Sequence, residues 1–319
     1  MKDEPYDPFV PGPFPVGVRS VQARDATRDR LFPAEVRHPA RPGPLPLVLY
    51  SHSSGRDRHS ATFLTTHLAS HGYAVAALDH SEVVVAALAS PGSGTAADRA
   101  ARIEAIVGSR VPDLRFLLDY LLGGQLQGDL EFDAGRIGLV GHSLGGWTVL
   151  ATVDVEPRVG SVVAHAPAGS TDPLPGVLPV SLAFARDRDV PTLYLAAEND
   201  VPIPPAAVRD VFDRTPGTKR MLTLRRADHL HFVDDVEGAH EAVRTMQLPA
   251  EAAWMSAATR PMTELCSGAQ AHAFVRGLTL AHLDATLRAD PAAARFLADD
   301  LHAELTAHGI DAVTASGQA

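Results

Sequence analysis

Short, almost wholly apolar runs alternate along this chain with stretches in which apolar residues return every third or fourth position. Residues 45–50, 73–78, 137–140, 161–164, 192–196 and 221–224 are the runs, and their lack of polar alternation predicts strands covered on both faces. Residues 60–71, the stripe Leu114, Leu117, Leu118 and Leu121, the stretch after Ser143 and residues 206–212 have helical spacing, with Gly72 and Gly123-Gly124 as stops. Residues 16–23 and 31–38 read as two further strands across a polar turn at Asp25-Ala26-Thr27. This order predicts an α/β fold, a mainly parallel central sheet flanked by helices on both faces.

Some segments stand outside the alternation. Residues 1–15, proline-rich from Pro8 to Pro15, read as an extended arm on the surface. Residues 166–179, rich in proline and glycine, predict a loop beside a cleft. Residues 247–268 carry Trp254, Met255, Met262 and Leu265 in a helical background, a small helical insertion near the C-terminus. It reads either as a lid or as surface helices packing an apolar side on the core. Phe274 and Leu278 mark one closing helix, and Leu297, Leu301 and Leu305 another. With no repeat and no linker, residues 1–319 read as a single domain.

Composition narrows the function. With 319 residues, 45% of them hydrophobic, the chain can bury a large core, and a net charge of −10 without a lysine-arginine run excludes nucleic acid as a partner. Cys266 is the only cysteine, so no disulfide within the chain and no thiolate metal cluster is expected. The start Met1-Lys2-Asp3-Glu4-Pro5 lacks an apolar signal core, and no run approaches the roughly 20 apolar residues of a membrane span. The expectation is a soluble cytoplasmic protein, and nothing in the sequence speaks to its oligomeric state.

The chemistry begins at Gly141-His142-Ser143-Leu144-Gly145, a serine between two glycines where an apolar run meets a helical pattern. That context is a nucleophile elbow, a turn so tight that glycine is required two residues either side of the serine. A serine hydroxyl is a poor nucleophile near neutral pH, so Ser143 needs a histidine base, an acid to orient it and backbone donors for an oxyanion. In parallel sheets such groups gather at the carboxyl ends of strands. Residues 221–224 lead to His229 and residues 192–197 to Asp200, which gives the chain order Ser143, Asp200, His229. His231 is the alternative base. Leu144 supplies one oxyanion N–H, and the other comes from the loop after the third strand, from Ser54 or its neighbour Ser53. His52, His142, Trp147, His231, Ser53, Trp254 and Met255 are candidates for the pocket wall, and Arg56, Asp57, Arg58 and His59 for a polar entrance. Two other readings stay open: a metal-dependent hydrolase using His229 and His231 with nearby aspartates, and a ligand-binding protein without turnover.

The segments 46–52 (PLVLYSH), 68–75 (LASHGYAV), 141–146 (GHSLGG) and 229–234 (HLHFVD) together resemble the α/β-hydrolase superfamily. Within it the chain is similar to platelet-activating-factor acetylhydrolases, dienelactone-hydrolase-like esterases and bacterial cutinase-like polyesterases, over most of its length. The resemblance implies a cofactor-free serine carboxylester hydrolase acting on a small-molecule or polymeric ester, with Ser143 as nucleophile, His229 as base, Asp200 as acid, and Ser54 and Leu144 as oxyanion donors. Two departures stand out. Ser53 replaces the glycine that usually follows serine-histidine in the oxyanion loop, and the strand before Asp200's ends Ala164-His165-Ala166, without the carboxylate that the lipoprotein-associated acetylhydrolases carry there.

Overall fold

The computed structural model describes residues 6–89, 95–126, 130–246, 252–299 and 301–314. Among these, nine strands form one sheet in the order β1-β2-β4-β3-β5-β6-β7-β8-β9. β1 (Val16–Asp25) and β2 (Arg30–Pro39) make an antiparallel hairpin that pairs with β4 (Ala74–Leu78). β3 (Leu45–Ser51), β4, β5 (Phe132–His142), β6 (Val159–His165), β7 (Thr192–Ala197) and β8 (Lys219–Leu224) are mutually parallel. The expected strands are present, each within a few residues of its expected limits. β9 (Ala312–Thr314) is an antiparallel edge beyond β8 that three residues were too short to signal.

β3, β4 and β7 are buried along their whole length, and β5 from Ile137 onward, as the unbroken apolar runs require. Alternate residues serve two cores. Leu47, Leu49, Leu139, Val162 and Tyr194 face one, with α4 (Ala96–Leu122), α5 (Leu144–Val153) and α6 (Pro205–Arg214). Val48, Tyr50, Val140, Val163 and Leu195 face the other, with α1 (Thr62–Ser70) and a helical C-terminal region. The period of two along each strand thus divides the core between the two faces. Two single-turn helices, α2 (Ser81–Val84) and α3 (Ala86–Ala89), follow β4.

The C-terminal region differs from expectation in two places. Of the insertion at 247–268, residues 247–251 lie outside the described residues; the rest holds one short helix, α8 (Ala253–Ala258), and a single 3-10 turn at Met262–Glu264. It follows α7 (Val236–Thr245). The second closing helix is two: after α9 (Gly268–Leu287), α10 (Pro291–Ala298) ends where Asp299 turns extended (ψ −162°), and α11 (Leu301–Ala307) starts afresh. Leu297 and Leu301 therefore belong to different helices, and burial of both had mimicked one stripe. Of the N-terminal arm, residues 1–5 lie outside the described residues. Its remainder is more than a surface strap, because Phe9 is buried against Gly277 of α9 and the Pro8 carbonyl accepts from His67 Nε2 at 2.9 Å. No helix among the described residues is long and apolar enough to cross a membrane.

Candidate active site

The chain leaves β3 for β4 on one side and later returns as β5 on the other, so the loops after β3 and β5 diverge and open a crevice at their carboxyl ends. Both the serine loop and the β3 loop lie there. Ser143 joins β5 to α5 with φ 59° and ψ −119°, a left-handed backbone that costs a non-glycine residue about 1–3 kcal/mol. The neighbours hold it there. Its N–H donates to the His165 carbonyl at 2.9 Å, and its own carbonyl accepts from Trp147 N at 3.0 Å and Ala168 N at 3.1 Å. A Cβ on Gly141 would meet the Gly145 carbonyl at 2.2 Å, and one on Gly145 the Ser51 carbonyl at 2.0 Å. Both glycines of the motif are thus required by backbone contact.

His229 and Asp200 meet at the neighbouring strand ends. His229 opens a 3-10 turn (His229–Phe232) after β8, and its Nδ1 donates to Asp200 Oδ2 at 2.8 Å. The other oxygen, Oδ1, accepts the Ile203 N–H at 2.7 Å, which fixes the carboxylate in the β7 loop. Burial raises the Asp200 carboxyl above its usual range, against the pull of His229 and Ile203. Burial works against a charged His229 ring, but the field and hydrogen bond of Asp200 outweigh it and hold His229 above the ordinary histidine value. An imidazole with its Nδ1 proton fixed on a carboxylate keeps Nε2 as a free base.

Around this pair burial keeps His142, His165 and His52 uncharged. His142 is fully buried, its ring 4.6 Å from that of His229 and 5.3 Å from that of Phe232. His165 stacks on the far side of Phe232 at 5.6 Å, and burial holds it down at about 3. His52, also pushed well down by burial, donates from Nδ1 to the Ser53 carbonyl and accepts the His80 N–H at Nε2. His231 turns away from His229: its Nδ1 lies 2.9 Å from Asp228 Oδ1 and its Nε2 donates to the Cys266 carbonyl at 3.0 Å. Among the described residues no group of three His, Cys, Asp or Glu converges as metal ligands would.

The β3 loop is held from beneath by charge. Arg110 of α4, fully buried, pairs with Glu82 and donates to the His52 carbonyl at 2.5 Å. Ser53 is buried, while Ser54 sits exposed at the crest of the loop. Leu144 opens α5, so its N–H is one of the first-turn donors that no helical carbonyl can reach. Three cavities adjoin these loops. One of ≈ 200 Å³ is walled by His229, Val201, Pro202, Leu230, Val243 and Met255. A groove of ≈ 320 Å³ runs from Pro167 and Ala168 past Leu174 to Pro202 and Ile203. The third, ≈ 590 Å³, has a mixed wall in which Arg56, Asp57, His59, Glu82 and Asp235 are joined by Val83, Ala89 and Val233.

No protein-family model and no curated protein matches the sequence. Among solved structures, a ferulic acid esterase from Streptomyces cinnamoneus is similar with a TM-score of 0.67 and 25% identity, over 88% of this chain and 93% of that one. The chain has the α/β-hydrolase fold.

Within this fold His142, next to Ser143, brings the elbow to the His229–Asp200 pair through its 4.6 Å ring contact with His229; Met255 shares a cavity wall with His229, and Ser53 and Ser54 lie in the loop after β3. Trp147 is buried under the elbow, its indole donating to the Ser181 carbonyl at 2.7 Å, and Trp254 donates to the Pro175 carbonyl at 3.1 Å. Sequence reasoning missed the Glu82–Arg110 pair and the apolar wall from Val201, Pro202, Leu230 and Val243. The Val201-Pro202 step directly after Asp200 was the one local signal for that wall.

Proposed function

We propose that this chain is a serine carboxylester hydrolase. The observation that carries the reading is the strained Ser143 elbow together with a half-buried His229 paired to the buried Asp200 on adjacent strand ends. Ser143 Oγ attacks the ester carbonyl while His229 Nε2 takes its proton, and Asp200 stabilises the imidazolium that results. The oxyanion forms toward the N–H groups of Leu144 and Ser54. His229 then returns the proton to the leaving alcohol, and water, deprotonated by the same ring, releases the acid from Ser143. No step calls for a cofactor.

The ester is read as that of an apolar, ring-sized acid. A dry cavity of about 150 Å³ admits benzene, and the apolar space beside His229 is ≈ 200 Å³. The similar solved structure is an esterase of ferulic acid, which supports the same acyl class. A fluorophosphonate probe tests the nucleophile: the wild-type chain is labelled at Ser143 and Ser143→Ala is not. A folded wild-type chain that stays unlabelled refutes the proposal.

A further inference from the structure

The apolar cavity beside His229 is walled on one side by Met255 of α8 and by Thr259 just past its end. Yet α8 has no buried residue, so little apolar area holds it in place. Polar contacts hold it instead. Ser256 Oγ donates to the Val243 carbonyl of α7 at 3.1 Å and approaches that of Met246 at 3.5 Å. On the other side the Trp254 indole N–H donates to the Pro175 carbonyl at 3.1 Å. Pro175 belongs to the long β6–β7 loop, whose Pro173 and Leu174 line the ≈ 320 Å³ groove. Pro202 forms part of both the groove and the cavity, two residues beyond Asp200. A single indole hydrogen bond therefore ties together the outer walls of two apolar spaces that meet at Pro202.

We infer that Trp254 is a specificity-determining residue, whose bond to Pro175 fixes the width of the acyl site and excludes acids larger than one ring. The inference rests on the proposed esterase reading. It follows from the weak seating of α8: with the bond made, Met255 stands against Val201 and Leu230; with it broken, α8 is held by Ser256 alone and cavity and groove become one site. The bond involves neither Ser143 nor His229, so its loss acts on which acid enters.

Trp254→Phe keeps an aromatic ring and removes the donor. For p-nitrophenyl 2-naphthoate relative to p-nitrophenyl acetate, kcat/KM rises about three- to tenfold, the effect of one net hydrogen bond, the ratio cancelling any general change in turnover. An unchanged ratio, or equal loss on both esters, overturns the inference. A second readout is independent of catalysis. The chain has two tryptophans, so in Trp147→Phe the emission reports Trp254 alone: benzoate, which fits the closed site, binds in equilibrium dialysis without moving it, and 2-naphthoate binds only with a shift to the red as the indole bond opens. Benzoate that fails to bind, or 2-naphthoate that binds without moving the emission, overturns the inference. A chain that hydrolyses neither ester while showing the red shift overturns the esterase proposal and leaves the Trp254 contact standing.

Discussion

Adding one methyl group at Gly145 probes the coupling between the elbow and the β3 loop. An alanine Cβ there would lie 2.0 Å from the Ser51 carbonyl oxygen and 2.7 Å from that of His52. Optimal non-bonded separations are about 3.5 Å, so something must retreat by on the order of 1 Å. α5 has no room behind it, since even a Cβ on Gly146 would meet Pro167 Cα at 2.9 Å. The β3 loop therefore moves, and with it the donor opposite Leu144. Misplacement by about 1 Å or loss of one oxyanion donor each costs roughly 10²-fold. We expect kcat/KM for p-nitrophenyl acetate to fall about 10²-fold in Gly145→Ala, mostly in kcat. Overpacking costs about 1–3 kcal/mol, read for a chain of this size as a Tm lowered by roughly 2–5 °C. Gly108→Ala is the control: its Cβ meets nothing within 4 Å in the middle of α4, and it stabilises by about 0.5–1 kcal/mol. Gly145→Ala with activity within threefold of wild type and an unchanged Tm would refute the argument.

Asp200→Asn removes the acceptor that fixes the His229 tautomer and lowers kcat about 10⁴-fold; a loss under tenfold in steady-state turnover rejects Asp200 as the acid. The base must be neutral to act, and Asp200 holds His229 above the ordinary value, so kcat/KM falls as pH drops through a midpoint above about 6.5. Arg56 opposes protonation of His229, so Arg56→Gln moves that midpoint further up, and a shift downward in the pH–rate profile contradicts this placement. Arg110→Ala leaves Glu82 and the His52 carbonyl without their buried partner and destabilises by about 3–5 kcal/mol in urea melts; a loss below about 1 kcal/mol would mean the buried pair is dispensable.

The parts of this molecule legible in the sequence are those fixed by local geometry. An elbow writes itself as Gly-x-Ser-x-Gly because backbone contacts at Gly141 and Gly145 leave no room for a side chain. Buried strands write themselves as apolar runs, and the positions after β7 and β8 pointed to Asp200 and His229, whose 2.8 Å contact joins residues 29 apart. What stayed hidden depends on distant partners. Arg110, in a helix with several exposed charges, gives no local sign that its partner Glu82 comes from the turn after β4. His231 and His229 share composition and neighbourhood, and only the 3-10 turn sends one to Asp200 and the other to Cys266. The break at Asp299 was invisible because its flanking leucines both face the core.

Buried neutral imidazoles make folding itself a proton-sensitive equilibrium. Burial holds His165 and His67 down at about 3 and His282 at about 4, and pushes His52 and His142 well below the ordinary value. An unfolded chain takes up protons on all five near pH 6.5, whereas the folded one does not, so each subtracts about 1.4 kcal/mol of stability per pH unit below that point, down to its folded value. His231, raised to about 10 beside Asp228, works in the opposite sense, its contribution being fully present below about 6.5. These lowered groups outnumber the raised pair His229 and His231, so the balance runs toward lost stability as the pH falls below about 6.5. Mild acid therefore threatens the native state of this chain as well as its base, and an acid-side loss of turnover that does not recover on neutralisation marks unfolding, while one that does marks titration of His229.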